Sequence, residues 1–298
     1  MPDELLVDQG HHTLRLIKSK DPAGRTTGQL RFHYEVEKKL ATRLREATPE
    51  KRRRMYGQLY NELYAQVKDH PLLQRKALSA EQLRRHKGIQ SQLRFLRRFV
   101  KPGSVFLEIG AGSCLVSMEV AKRVKRVIAV DVSEEITRRD DVPSNLELRI
   151  FEGVEVPVEA GTVDIAYSHQ VMEHVHPEDA FEQLRTIHRS LAPGGAYVCI
   201  VPNRISGPHD ISRHFDEVAT GFHMKEYTTA ELALLLRRSG FRRIRSYAGA
   251  RGHYFAVPQW FLIALESLLD TMPFRIRVNI GRRIPARQLL EIRMAGWK

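Results

Sequence analysis

The chain has 298 residues, of which 42% are hydrophobic and 28% are charged, and its formal net charge is +13. These values are typical of one large globular domain or of a core with appendages, and they exclude a disordered or fibrous chain. Two cysteines, Cys114 and Cys199, exclude a disulfide framework and a cysteine-rich zinc site. The first residues lack a secretory signal pattern, and the apolar run 260–269 is too short to span a bilayer. We therefore expect a cytoplasmic protein.

Residues 1–103 predict a basic helical N-terminal extension, with 23 Lys and Arg side chains against 11 Asp and Glu. Apolar residues recur at helical spacing over 34–47 and 49–67, and Thr48-Pro49 is typical of a helix start. A third helix is expected over 79–99. We expect these helices to cover a pocket of the following domain rather than to form a separate enzyme.

From residue 104 the sequence alternates short β-rich runs with amphipathic helical segments. The predicted strands are 105–109, 127–132, 146–151, 163–167, 196–201 and 241–247, and the predicted helices are 115–124, 178–191 and 228–239. This alternation predicts an α/β fold over residues 104–249: a doubly wound, Rossmann-like, mostly parallel sheet with helices on both faces. Ligands of such sheets bind at the carboxyl ends of the strands.

The last segment, 250–298, predicts a basic, amphipathic, helical tail. Residues 241–298 carry 11 basic and 3 acidic side chains, and an apolar helix face spans residues 260–269. Such a helix lies on an anionic membrane surface, packs on the core of its own protein or forms a dimer interface. The sequence leaves these alternatives open.

The sharpest local pattern is VFLEIGAGSC, residues 105–114, in which a strand leads into a helix start. Gly110 and Gly112 allow a tight turn and a close approach of the backbone to a ligand. The third glycine of a dinucleotide fingerprint is absent, because Leu115 takes its place, and there is no phosphate-binding lysine motif. The turn therefore argues against NAD and against a nucleoside triphosphate, and it suits another nucleoside ligand.

Carboxylates follow or end three neighbouring predicted strands. Glu108 precedes the glycines, Asp131 ends the second strand, and Glu152 follows the third. An acid about twenty residues beyond the first glycine is where a ribose is bound in related sheets. A carboxylate ahead of the glycines suits a ligand with positive charge. The three acids together predict a pocket for a cationic nucleoside.

These motifs resemble the class I S-adenosylmethionine-dependent methyltransferases of the ubiquinone-biosynthesis-like, or type 11, group. The matching segments, in order, are VFLEIGAGSC, AVDVS, FEGVEVP, VDIAYSHQVMEHV, LAPGGAYVCIVPN and HMKEYTTAELALLLRRSGF. They cover about half of the chain, and their order makes the resemblance specific. The resemblance implies a seven-stranded sheet, S-adenosylmethionine as the cofactor and S-adenosylhomocysteine as its product.

The resemblance also implies roles for individual residues. The implied cofactor-binding residues are Glu108, Gly110, Ala111, Gly112, Cys114, Asp131, Val132, Glu152, Gly153 and Ser168. Glu108 and the glycines would surround the methionine part, Asp131 the ribose, and Glu152 with Gly153 the adenine. Cys114 departs from the family pattern, which often has glycine there.

Four residues are candidates for catalysis by their placement near the methyl group or in the polar insertion 203–227: His169, Glu173, His174 and His223. The insertion is expected to cover the pocket. Some relatives bind a divalent metal around the Glu-His pair, but Gln170 stands where a third, acidic ligand is often found. We therefore predict no metal ligand set.

The acceptor of the methyl group remains open between classes. A small molecule or a lipid- or glycan-linked intermediate is the main hypothesis. The basic flanks suggest a nucleic-acid methyltransferase, but Ser168-His169-Gln170 lacks the Asn/Asp-Pro-Pro-aromatic pattern, and neither cysteine is placed to attack a base. A protein that binds the cofactor without catalysis is the third alternative. Peripheral membrane contact through the tail is compatible with the first, and the oligomeric state is unknown.

Overall fold

The computed structural model describes residues 5–7, 13–15, 21, 24–76, 87–137, 139, 141–250, 252–283 and 285–298. Among these residues, the N-terminal part contains two short paired strands and four helices. Their bounds are β1 (Leu5–Val7), β2 (Thr13–Arg15), α1 (Thr27–Glu46), α2 (Pro49–Gln66), α3 (Pro71–Lys76) and α4 (Lys87–Leu96). The predicted helices at 34–47 and 49–67 correspond to α1 and α2, while part of the predicted helix at 79–99 lies outside the described residues.

The remaining chain builds one sheet with helices on both sides. Its strands are β3 (Val105–Ile109), β4 (Arg126–Asp131), β5 (Leu146–Ile150), β6 (Val163–His169), β7 (Leu191–Val201), β8 (Arg243–Ala250), β9 (His253–Val257) and β10 (Ile292–Trp297). The helices are α5 (Leu115–Ala121), α6 (Glu134–Thr137), α7 (Pro177–Ser190), α8 (Thr229–Arg238), α9 (Gln259–Asp270), α10 (Phe274–Gly281) and α11 (Ala286–Leu290).

The strand order is β5-β4-β3-β6-β7-β10-β8-β9. The first five strands in this order are parallel, β10 is antiparallel to both of its neighbours, and β9 is antiparallel to β8. The parallel strands read as continuous apolar runs because both faces are covered, with Leu107 and Val130 in one core cluster and Phe106 and Ala129 in the other. This arrangement confirms the predicted α/β, Rossmann-like fold.

Two features of the predicted architecture are wrong. The described residues form eight strands in this sheet rather than seven, and segment 250–298 is not only helical, because it supplies β9 and β10. β10 lies between β7 and β8, where all but its last residue are buried. A six-residue run at the end of a basic, helical segment carries no periodicity of its own. Its β conformation follows from hydrogen bonding to strands on both sides.

The helices of the extension are fastened to the sheet domain by a buried ion pair. Arg52 of α2 donates to both carboxylate oxygens of Asp179, at 2.8 and 3.0 Å, and to Glu178 at 2.6 Å. Tyr56 donates to the same Asp179 at 2.7 Å and accepts from the backbone of His176. Arg52 and Asp179 are almost fully buried. This network positions α2 against the start of α7.

Among the described residues, no helix has the length and hydropathy needed to cross a membrane.

Replacing Arg52 by Ala should lower the free energy of unfolding by about 3 kcal/mol, because it leaves the buried Asp179 carboxylate without its cation. Equilibrium denaturation in urea measures the change. Arg53→Ala is the matched control, since Arg53 lies next in the sequence and is exposed. Equal effects of the two substitutions would contradict a specific role of the buried pair.

Candidate active site

A cavity of about 310 Å³ lies at the carboxyl ends of the central parallel strands, within the size range of small-ligand pockets. The predicted site residues that line it are Gly110, Gly112, Asp131, Val132, Gly153, His169 and His174. The other predicted residues do not line it, and they are Glu108, Ala111, Cys114, Glu152, Ser168, Glu173 and His223. The sheet therefore brings the glycine turn and the end of β4 into one cavity with two of the candidate histidines.

The turn after β3 has the backbone conformation that its glycines allow. Gly110 and Gly112 have φ angles of +68° and +50°. A Cβ atom at Gly110 would overlap the side chain of Val171, so the turn leaves no room for a larger residue there. Cys114 also lies in the left-handed region, at φ +58°, which explains why glycine suits this position. The Cys114 side chain is buried, so its departure from the family pattern leaves the turn intact.

Asp131 connects the glycine turn to the end of β4. Its Oδ2 accepts from the backbone N–H of Gly112 at 2.8 Å, and its Oδ1 accepts from that of Ser133 at 3.0 Å. Burial raises the pKa of the Asp131 carboxyl, and the backbone N–H donors of Ser133 and Gly112 oppose that rise. The carboxylate lines the cavity, where hydroxyl groups of a ligand are suitable donors to its remaining lone pairs.

Glu108 lies behind the turn rather than in the cavity. Its Oε2 accepts from the hydroxyl of Ser117 in α5 at 2.5 Å, and the side chain is 4% exposed. Burial raises the pKa of the Glu108 carboxyl to about 8, although its hydrogen bonds to Ser117 oppose the rise. Of the three carboxylates expected to meet in the pocket, Asp131 lines it, whereas Glu108 is covered and Glu152 is exposed.

The wall near the end of β5 is formed by Gly153 together with α2 and α7. Gly153 has φ +82°, and a Cβ atom there would lie 2.9 Å from the ring of Tyr56. Its carbonyl accepts from the side-chain amide of Gln183 at 2.5 Å. This close packing leaves no space for a side chain at position 153. It therefore explains the glycine in the segment FEGVEVP.

The remaining predicted cofactor residues support the turn from outside the cavity. The backbone N–H of Ala111 donates to Val130 at 3.1 Å, and the hydroxyl of Ser168 is hydrogen-bonded to that of Tyr197 at 2.6 Å. Val132 does line the cavity, and its carbonyl oxygen lies so close to Gly57 of α2 that a side chain at position 57 would overlap it. Helix α2 therefore lies directly against the strand ends.

Sequence reasoning missed much of the opposite wall, which comes from α1, α2, α3 with the loop before it, and the polar insertion. The residues concerned are Glu37, Tyr56, Tyr60, Leu63, Tyr64, His70, Leu72 and Phe222. Three of the tyrosines recur every four residues along α2, on one face of the helix. That spacing, together with Gly57 inside a helix, is the sequence signal from which a close approach of α2 to another surface could be predicted.

Glu37 joins α1 to the polar insertion within this wall. Its carboxylate is paired with His33 Nε2 at 2.8 Å and accepts from the backbone N–H of Phe222 at 2.8 Å. Burial raises the pKa of Glu37, but the hydrogen bond and the charge of His33 outweigh it and hold the pKa below its ordinary value. The cavity therefore has an ionised carboxylate beside the aromatic ring of Phe222.

Glu173, His174 and His223 form a cluster at the edge of the cavity, in which Glu173 and His223 are buried and His174 is half-buried. The rings of His174 and His223 are 4.7 Å apart, and His223 Nδ1 is hydrogen-bonded to Glu226 at 2.7 Å. Burial lowers the pKa of His223, but its pairing with Glu226 and the charge of Glu173 raise it to about 9. Burial lowers the pKa of His174 to about 3, with a further contribution from the charge of His223. The ring of His174, which lines the cavity, is therefore neutral.

Glu173 is fully buried, and neither of its carboxylate oxygens has a hydrogen-bond partner among the described residues. It offers one atom within 4.8 Å of ring nitrogens of His174 and His223. A carboxylate in this position accommodates a shared proton or a cation. The prediction of no metal ligand set, made from Gln170, stays a prediction.

His169 ends β6 and lines the cavity next to Gln170 and Val171. Gln170 has φ +56° and donates its backbone N–H to Ile200 at 2.8 Å, so the chain turns sharply away from the strand at this point. The turn places the following residues over Gly110. There the side chain of Val171 contacts the glycine turn.

Comparison with protein families matches residues 107–199 to a family model described as a methyltransferase domain. This match confirms the resemblance to class I S-adenosylmethionine-dependent methyltransferases drawn from the sequence. No curated protein matches the chain.

Solved structures with a similar fold include a complex between the Trm112 methyltransferase activator of Haloferax volcanii and a candidate methyltransferase. That chain is 19% identical with a TM-score of 0.52, and the alignment covers 73% of this chain and 92% of that one. Phosphoethanolamine N-methyltransferase 2 of Haemonchus contortus, with bound S-adenosyl-L-methionine, is 15% identical with a TM-score of 0.48, over 70% and 52% of the two chains. A possible histamine N-methyltransferase of Thermotoga maritima is 15% identical with a TM-score of 0.48, over 71% and 89%.

Replacing Glu108 by Gln should remove a pH dependence of stability. The folded-state pKa of Glu108 is about 8, above that of an unfolded chain, so the folded state retains a proton that the unfolded state releases. Wild-type stability should therefore fall relative to E108Q as pH rises from about 5 to about 8, by up to about 1.4 kcal/mol per pH unit. Denaturation of both proteins across this range measures the difference. Parallel stability curves would contradict the raised pKa.

Proposed function

We propose that this protein transfers a methyl group from S-adenosylmethionine to a small-molecule or lipid- or glycan-linked acceptor, by in-line displacement, and releases S-adenosylhomocysteine. The family match over residues 107–199 supports the cofactor and the reaction class. The observation that carries the proposal is one cavity that joins the glycine turn and Asp131 to an aromatic wall and is lined by three histidines.

The proposal assigns the cofactor to the part of the cavity formed by the sheet. Gly110 and Gly112 would accommodate the methionine part, Asp131 would accept from the ribose hydroxyls, and Val132 with Gly153 would lie beside the adenine. When bound, the cofactor supplies a methyl group activated by its own sulfonium charge. The aromatic rings of α2 and Phe222, with the ionised Glu37, suit a positively charged group.

The chain itself must orient the acceptor and exclude water. Helix α2 and the polar insertion cover the strand ends. Helix α1 is connected to the insertion by Arg45, which donates to the carbonyls of Thr220 and Gly221 at 2.9 and 2.7 Å. Of the four candidate catalytic residues, His169 and His174 line the cavity. We assign proton removal from the acceptor to His169, which ends β6 and lines the cavity, because a pKa of about 3 makes the neutral ring of His174 a weak base.

A nucleic-acid acceptor remains the alternative, favoured by the basic charge of residues 1–103. The cavity argues for the smaller acceptor, because α1, α2 and the insertion form one side of it and a base would have to be flipped out of a nucleic acid to enter. A protein that binds the cofactor without catalysis would keep the same cofactor residues, and turnover is what distinguishes it.

Asp131→Ala should weaken binding of S-adenosylmethionine by about 1–3 kcal/mol, or roughly 5- to 150-fold, because a charge-assisted hydrogen bond to the ribose is lost. Isothermal titration calorimetry measures the affinity. Glu134→Ala is the matched control, since Glu134 is a nearby exposed acid. Unchanged affinity in a folded Asp131→Ala protein would reject the ribose assignment, and no binding by the wild type would reject the proposed function.

His169→Ala should lower kcat by roughly 100-fold or more while leaving cofactor affinity nearly unchanged, because it removes the assigned proton acceptor and no cofactor contact. The acceptor is first found by incorporation of labelled methyl groups into fractions of a metabolite extract. His253→Ala, at an exposed position of β9, is the control. Parallel losses of turnover and cofactor affinity would count against the assignment, and stable labelling of bulk RNA would favour the alternative acceptor.

A further inference from the structure

The C-terminal helices α9 and α10 leave large apolar side chains in solvent. Trp260 is 71% exposed, Leu268 60% and Ile276 52%, and Phe261 and Ile280 are also exposed. We call these five residues the C-terminal apolar face. Isolated exposed apolar residues are common, but five on two consecutive helices joined by a three-residue turn indicate a binding surface.

This exposure is a property of the folded protein. The opposite side of α9 buries Leu262, Glu266 and Leu269. Leu269 packs with Ile205 and Leu290 in a separate small core. The Glu266 carboxylate accepts from the side-chain amide of Asn203 at 2.6 Å and from the backbone of Thr229 at 3.0 Å. These contacts fix the orientation of helix α9. Its apolar outer side therefore stays exposed to solvent.

The acidic side chains of residues 241–298 are all either buried or paired with arginine. The three are Glu266, Asp270 and Glu291. Glu266 is buried, Asp270 is paired with Arg277 at 2.5 Å and with Arg204 at 3.3 Å, and Glu291 is paired with Arg293.

The exposed charges in and between α10 and α11 are positive by contrast. Arg275, Arg283 and Arg287 are exposed, and none forms an ion pair with the residues that the structure describes. Among the described residues of this segment, the exposed charges without an ion-pair partner are consequently positive. A partner that binds this face must therefore present both an apolar surface and negative charge.

We propose that the C-terminal apolar face and these three arginines bind the surface of an anionic lipid bilayer. A helix with Trp and Phe on its outer side and arginines beside it matches the interfacial position, in which rings enter the headgroup region and guanidinium groups contact lipid phosphates. No membrane-spanning helix is needed for this mode of attachment. The proposal is independent of the methyltransferase activity.

The face is connected to the candidate active site by a short path. Helices α9, α10 and α11 all pack on the turn at Arg204–Ser206, which begins the polar insertion. The same insertion supplies Phe222 to the cavity. A bilayer bound at this face is therefore separated from this part of the pocket wall by the C-terminal helices.

The test is co-sedimentation of the full-length protein with vesicles of phosphatidylcholine alone or with about 30% phosphatidylglycerol. We expect binding to the anionic vesicles, weak binding to the neutral ones and release by salt. Trp260→Ser with Leu268→Ser should reduce the bound fraction roughly tenfold, and Arg275→Gln with Arg283→Gln should do so separately. Thermal unfolding checks that each variant is folded.

Matched controls use residues of the same kind at other places. Val218→Ser removes an apolar side chain that is 67% exposed in the insertion, and Arg53→Gln with Arg54→Gln removes two exposed cations of α2. Both controls should bind as the wild type does. The proposal is overturned if anionic vesicles do not bind, if the controls lose binding as much as the face variants, or if the face proves to be a dimer contact. The last outcome would appear as a wild-type dimer that Trp260→Ser with Leu268→Ser converts to a monomer without any vesicle binding.

Discussion

The close seating of helix α2 on the carboxyl ends of the parallel strands is the contact on which the candidate site depends. It requires Gly57, because a side chain there would meet the backbone of Val132, and it is anchored by the buried pair of Arg52 and Asp179. Without this helix the strand ends would form an open crevice, as in any doubly wound sheet. With it, the glycine turn faces a wall of tyrosines across one cavity.

The carboxylates around the cavity have separate electrostatic roles because they differ in what they contact. Asp131 is held by backbone N–H groups, Glu37 by His33 and a backbone N–H, while Glu108 has a single hydroxyl donor from a side chain, and burial raises its pKa. Neither carboxylate oxygen of Glu173 has a hydrogen-bond partner among the described residues. Such differences allow one site to hold fixed negative charge at Glu37 while other acids remain available for protons.

The C-terminal segment combines two tasks that are usually separate. Its last strand completes the sheet between β7 and β8, and the helices before that strand present an apolar, cationic outer surface. Because the strand is hydrogen-bonded on both sides, the helices cannot detach without disrupting the sheet. A surface carried in this way keeps a constant position relative to the pocket wall that starts at Arg204.

The sequence by itself determined the α/β fold, the five parallel strands and the glycine turn, since these follow from local periodicity and from the backbone freedom of Gly110 and Gly112. It also located Asp131, which a fixed spacing from the turn places at the end of β4. Only the tertiary structure decided that Glu108 is covered by Ser117, that α2 supplies the facing wall and that β10 enters the sheet. Each of these depends on contacts between residues far apart in the chain, such as Arg52 with Asp179. Local sequence patterns do not show which distant residues meet in the folded protein.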